Sequence, residues 1–233
     1  HGVLCACHHL ADLSRQIEAQ TRAYEVKEEK VDKALALVKP DGFLKDMDAS
    51  GTEVYTADIV YPKDREHLLL SWETMKNHNA GDFGFHYSPY DFDSNPEKSF
   101  FEHMLGHLNL HPDEVKDIYF TGALTDPNKT DFYVEYKDDK GKWRRYTPDF
   151  VIRKKPVTGA KRGTGKVLIV EIKREHDRSH AIDGENGKKA MATRKWETLN
   201  PDRVTYQMIF TATDTVSTDQ MREARRFVEQ AEA

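Results

Sequence analysis

The sequence predicts an α/β protein built on one central mixed β-sheet flanked by helices. Strand-like segments gather in the middle of the 233-residue chain, and segments of helical apolar periodicity lie before and after them. A further strand-like run falls between two helical stretches near the end, so the order helix, antiparallel strands, helix, strand, helix favours a sandwich around one sheet.

Residues 10–38 are rich in Glu, Lys, Ala and Gln, with Leu13, Ile17, Tyr24, Val31, Ala34 and Leu37 near helical spacing. A long helix with so thin an apolar stripe buries little alone and reads as a linker or strut. Residues 39–92 carry strand-like pieces (53–61), a helix-like stretch (62–76) and a loop rich in Gly, Asp and aromatic residues (81–92). The expected division is an N-terminal helical extension over 1–92 and the main domain over 93–233.

Ser94, Asn95, Pro96 and Glu97 have the pattern of a capping box, with Pro in the first turn and Glu three residues after the cap. Phe100, Phe101, Met104, Leu105 and Leu108 then share one face of a helix over 95–108. Strands follow at 117–122, 131–137, 143–153 and 166–173. Asp138, Asp139, Lys140 and Gly141 turn the second into the third, and a basic loop over 154–165 joins the third to the fourth. A helix over 187–199, a strand over 203–212 and a helix over 218–233 complete the order.

Hydrophobic residues make up 38% and charged residues 32%, a polar balance that leaves part of the chain in exposed helices or loops. There is neither a run of about 18 apolar residues nor a charged-then-apolar leader, so no membrane is expected, and the protein is expected to be soluble and cytoplasmic. The chain opens on His1 rather than Met, which suggests a piece of a longer polypeptide. Its two cysteines, Cys5 and Cys7, are too few and too close for a disulfide framework and agree with a reducing compartment. With His8 and His9 they offer a metal clip, although a structural zinc site normally pairs two such clusters.

The net charge of −5 is unevenly spread. Between Lys142 and Lys173 ten bases face only Asp149 and Glu171, a local charge of +8 that leaves −13 for the remainder. Basic charge around two carboxylates suits a phosphate-binding channel; a solvated Lys- and Arg-rich hairpin is the plainer alternative.

Those carboxylates carry the chemistry. In the run Val167, Leu168, Ile169, Val170, Glu171, Ile172, Lys173 nearly every position is apolar, so both faces of the strand should be covered. Strand alternation puts Glu171 and Lys173 on one face. An antiparallel hairpin would bring Asp149 near Glu171, and two such carboxylates need a cation. Mg²⁺ suits them, being a hard ion that takes carboxylate, water and phosphate oxygens; Mn²⁺ is an expected substitute. Asp149 and Glu171, helped by the Ile172 carbonyl, would hold the ion, which would polarise a scissile phosphate and acidify a water. Lys173 would orient that water and stabilise the growing charge on phosphorus. The alternative is an ordinary cross-strand pair neutralised by Lys173 as a salt bridge.

Pro148 and Asp149 followed by Glu171, Ile172 and Lys173 resemble the PD-(D/E)xK signature of the restriction-endonuclease-like nucleases, over roughly residues 90–212. Residues 126–137 leading into Pro148 and Asp149, and the later Lys188, Lys189, Ala190, Ala192 and Trp196, resemble the C-terminal endonuclease domain of the restriction subunit of type III systems. That resemblance implies a restriction-endonuclease-like core, double-stranded DNA as substrate, a methyltransferase partner subunit and a helicase-type motor upstream. ATP would be used only through that absent motor. In many such nucleases a Glu on the first core helix joins the metal shell, and Glu97 matches that position, though the same residue completes the capping box. Some relatives carry Gln-x-x-x-Tyr after the core; here Tyr206 and Gln207 stand in the wrong order. Lys154, Lys155, Lys166, Lys189 and Lys195 are the expected phosphate contacts, with Lys188 and Arg194 beside them; a charged outer helical face is the commoner reading for those on the helix. Cutting both strands suggests pairing of two domains.

Two other motifs fail on their own terms. The loop before Lys166 lacks the glycine spacing of a phosphate-binding loop, and Val167 stands where Ser or Thr is required. His103 and His107 are spaced as in zinc proteases, but Met104 replaces the catalytic Glu. The rival functions are an inert nuclease-like module that grips DNA and a protein-interaction domain working through the helix over 10–38.

Overall fold

Two small antiparallel pairs precede the main sheet: β1 (Leu44–Met47) with β2 (Glu53–Thr56), and β3 (Leu69–Leu70) with β4 (Tyr90–Asp91). The short helix α1 (Trp72–Met75) separates β3 from β4, and α2 (Asn95–Leu110) follows. The computed structural model describes residues 35–113, 115–156, 165–179 and 184–230. Most of the helix expected over 10–38, the Cys5, Cys7, His8 and His9 group, and most of the basic loop lie outside these residues. Where residues 35–38 are described they are not helical. Ala36 instead accepts the Asp131 N–H at 2.8 Å, and Lys39 donates its N–H to Lys129 at 2.7 Å, so this stretch is held as a strap along 129–131.

The main sheet has the order β10-β9-β8-β5, formed by β5 (Val115–Phe120), β8 (Phe150–Lys154), β9 (Val167–Arg174) and β10 (Val204–Thr211). β5, β8 and β9 pair antiparallel, whereas β10 joins β9 in parallel, so the sheet is mixed as expected. The parallel connection is made by α3 (Glu185–Leu199), which packs on one face of the sheet. On the other face lie α2 and the terminal α4 (Arg222–Glu229).

Alternation within β8 and β9 sorts the core. Phe150, Ile152, Leu168, Val170 and Ile172 face α2 and α4, and meet Phe100, Met104, Leu108, Ala224 and Val228. Val151 and Ile169 face the opposite way, against Phe132, Tyr206 and Trp196. The apolar stripe read from residues 100–108 is fully buried, and each such side chain contributes about 1.5–3 kcal/mol. Leu68, Leu70, Phe83, Tyr90 and Phe92 belong to the same core, so packing reaches back across the division expected near residue 92. Residues from Leu35 onward form one compact unit.

Four local expectations are corrected. The strand over 143–153 is two strands in different sheets: β7 (Trp143–Tyr146) pairs with β6 (Val134–Lys137), and the chain breaks at Thr147, Pro148 and Asp149 before β8. Pro148 has no N–H to donate to a ladder, and its carbonyl is taken by the Thr121 hydroxyl at 2.6 Å. The helix-like stretch at 62–76 is mostly single turns around β3, and the strand at 53–61 stops at Thr56. The Ser94 hydroxyl does not cap the backbone; it donates to Glu97 Oε1 at 2.7 Å, and Oε2 accepts the Asp93 N–H at 2.9 Å. Among the described residues no helix is long and apolar enough to cross a membrane.

Candidate active site

The β8 to β9 register pairs Phe150 with Val170. Continued one step, it sets Asp149 opposite Glu171, and residues directly opposite in an antiparallel pair share a face. β8 begins only at Phe150, so β9 runs on past it and Ile172 has no strand partner on that side. The Asp149 carboxylate fills the gap, Oδ2 accepting the buried Ile172 N–H at 2.6 Å. Asp149 is held from behind as well, because its carbonyl accepts the Thr121 N–H at 2.8 Å.

Lys173 lies two residues beyond Glu171 on the same face, and Nζ meets Glu171 Oε1 at 2.5 Å. Glu171 is 3% exposed, and its other oxygen, Oε2, is buried without a hydrogen-bond partner among the described residues. Glu97 and Asp149 are also buried. Three carboxylates and one ammonium therefore share the end of the sheet.

The titration behaviour reflects that crowding. Burial, then the charge of Glu171, pushes the Asp149 carboxyl well above the usual range, and the Ile172 N–H and Lys173 only partly offset this. Burial raises Glu97 to about 7, against the opposing hydrogen bonds from Ser94 and Asp93. Burial pulls Lys173 down, but the charges of Asp149, Glu171 and Glu97 and the Glu171 bond outweigh it and hold the ammonium above its ordinary value. Lys173 is thus a fixed cation here, not a base.

The donor chemistry here is of the kind a hard divalent cation takes. The orphaned Glu171 Oε2 and the Asp149 oxygen left over from the Ile172 bond are hard donors, and three buried carboxylates beside one ammonium can be ionised together only if a further positive charge offsets them. Space is kept beside Asp149 by Gly122, whose added Cβ would sit 3.6 Å from Oδ1 and 3.0 Å from the Phe120 ring. Ile172 enters the site through its N–H. Both Glu97 oxygens are engaged by Asp93 and Ser94, so Glu97 acts on the cluster through its charge.

The expected basic contacts divide. Lys154, Lys155 and Lys166 lie at the far end of the β8 and β9 hairpin, about 16 Å from Asp149 and Glu171 at roughly 3.3 Å per residue. Lys154 is a correction: it is 4% exposed, donates to the Gln230 carbonyl and lies over the Phe227 ring, so it anchors the C-terminal helix instead of meeting a phosphate. Lys155 donates to the Pro112 carbonyl at 2.8 Å. Lys189, on α3, is near the site end: its ammonium stands 5.6 Å from the Tyr146 ring and 3.2 Å from Glu185. Lys188 pairs with Asp139, and Lys195 is exposed on the same helix. Local charge along the chain therefore overstated charge around the carboxylates.

Tyr146 was not singled out from the sequence, and Tyr206 was read only as part of an out-of-order Gln-x-x-x-Tyr element. Tyr146 and Tyr206 are buried on the α3 side, and burial together with the charge of Glu171 raises both. Tyr206 OH has no hydrogen-bond partner among the described residues, while Gln207 turns to the opposite face toward Gln220. The available signal was parity, since register with Ile169 puts Tyr206 on the Glu171 face. No family model, curated protein or solved structure matches this chain.

Proposed function

We propose that this chain is a divalent-metal-dependent nuclease of the restriction-endonuclease-like class, hydrolysing DNA phosphodiester bonds. More particularly, we read it as the cleavage domain of the restriction subunit of a type III restriction-modification system, serving an upstream helicase-type motor beside a methyltransferase subunit. The particular reading rests on the sequence resemblance. The class rests on one observation: two buried, electrostatically coupled carboxylates where paired strands end, with an ammonium beside them and an oxygen that has no partner among the described residues.

Asp149 Oδ1 and Glu171 Oε2 would hold the ion, Mg²⁺ or Mn²⁺. When bound it supplies Lewis-acid polarisation of a phosphate and a more acidic water. The Ile172 N–H fixes the Asp149 carboxylate so that only one of its oxygens is left for that task. Lys173, kept protonated by its neighbours, orients the attacking water and neutralises charge growing on the phosphoryl oxygens. Lys189 and Lys195 would receive the flanking backbone phosphates.

Supercoiled plasmid incubated with the protein and Mg²⁺, Mn²⁺ or chelator tests this. Nicking or linearisation with metal, absent with chelator and absent in Asp149→Asn and Glu171→Gln, supports the reading. Binding of DNA without cleavage under every metal condition would leave an inert gripping module in its place.

A further inference from the structure

A second cluster of metal-ligating side chains lies where α4 packs on α2, separate from the carboxylates at the end of the sheet. His107 and His111, one turn apart at the end of α2, face Glu229 at the end of α4, and one ligand atom from each lies within 4.8 Å of the others. His107 is 6% exposed, and among the described residues neither ring nitrogen makes a hydrogen bond of good geometry. A neutral imidazole always keeps one bare nitrogen, and the Glu229 carboxylate on α4 stands beside Nε2 without a donor between them, which is the arrangement of two ligands waiting on a cation.

We propose that His107, His111 and Glu229 bind a zinc-class divalent transition ion that staples the C-terminal helix to α2. His107 Nε2 and Glu229 Oε1 are 3.2 Å apart. That separation matches the edge of a tetrahedron with bonds of about 2.0–2.1 Å, the length of zinc bonds to imidazole and carboxylate. His111 and Glu229 are more exposed than His107 and can rotate to close the remaining distance, with water as the fourth ligand. Two imidazoles and one carboxylate select zinc and its neighbours over Mg²⁺, which prefers oxygen. The ion would hold α4, whose Ala224 and Val228 cover the core above β8 and β9. This inference does not depend on the nuclease reading.

The test uses the full chain carrying Cys5→Ser and Cys7→Ser, which removes the other candidate thiol ligands. Zinc titration by calorimetry in excess Mg²⁺ should give one site, and zinc should raise the melting temperature of the chelated protein. His111→Ala and Glu229→Gln, both at accessible positions, should each weaken zinc binding by at least about tenfold, while Asp149→Asn should leave it unchanged. No zinc binding in the Cys5→Ser, Cys7→Ser protein, or equal binding after His111→Ala, overturns the proposal. So does loss of the site in Asp149→Asn.

Discussion

Asp149 Oδ2 accepts the Ile172 N–H at 2.6 Å, so the side chain ahead of one strand replaces the missing ladder partner of the next. Charge and hydrogen bond can be separated there. Asp149→Asn keeps an oxygen for the N–H and removes the charge, so the chelated protein should melt no lower than wild type while metal-dependent cleavage falls by about a thousandfold or more. Asp149→Ala also strands the buried N–H and should lose about 1–3 kcal/mol of stability. Calorimetry with chelator and plasmid nicking check both; a large loss of stability in Asp149→Asn would show that the carboxylate is structural.

Glu97 makes the metal-free protein sensitive to alkali. Its folded-state pKa of about 7 lies above the ordinary 4.5, so its stabilising contribution is complete below pH 4.5 and is lost as pH rises through 7. Asp149 shifts in the same direction. Chelated protein should therefore lose stability between pH 5 and 8, by up to about 1.4 kcal/mol per pH unit for each group. Glu97→Gln should flatten part of that slope, and Mg²⁺ should restore stability most at the alkaline end, where it replaces the protons. A chelated protein equally stable at both ends contradicts the crowding of the site.

Lys154 and Lys189 should behave oppositely. Lys154→Ala removes a buried stem and the bond to the Gln230 carbonyl, so it should destabilise the fold by about 1–3 kcal/mol and leave the salt dependence of DNA affinity unchanged. Lys189→Ala should leave the melt nearly unchanged and lower the salt slope of binding by about one. Fluorescence anisotropy across a salt series separates them.

These contrasts mark how far the sequence could be read. The apolar run at 167–173, with charges at its end and two-residue alternation, was enough to place Glu171 beside Lys173, and antiparallel pairing was enough to set Asp149 opposite. Both follow from strand geometry, which is local. The end of the hairpin occupied by Lys154 depends on chain direction in a sheet, and its burial depends on α4, about 70 residues later. The capping box was legible as a pattern, but the Ser94 hydroxyl turns to the Glu97 carboxylate, which is itself buried and needs donors. The hinge at Pro148 was visible as a residue type, while the switch from β7 to β8 between sheets is held by Thr121, just past the end of β5, which bonds the carbonyls of Pro148 and Asp149.

His86 provides a prediction remote from the carboxylates. Its Nδ1 lies 2.8 Å from Tyr90 OH, its ring is 4.6 Å from that of Tyr119, and Nε2 is buried without a hydrogen-bond partner among the described residues. Burial, then the charge of Arg153, lowers its pKa to about 3 from the ordinary 6.5. Because the folded value is depressed, the stability linked to neutral His86 is present above pH 6.5 and is lost as pH falls toward 3, by up to about 1.4 kcal/mol per pH unit. Asp117, raised chiefly by burial, works the other way and softens the decline. His86→Phe keeps the aromatic packing and cannot take a proton, so its urea midpoint should fall less than that of wild type between pH 6.5 and 4.5. If both proteins lose stability in parallel over that interval, His86 is protonated in the folded state and the buried neutral imidazole is refuted.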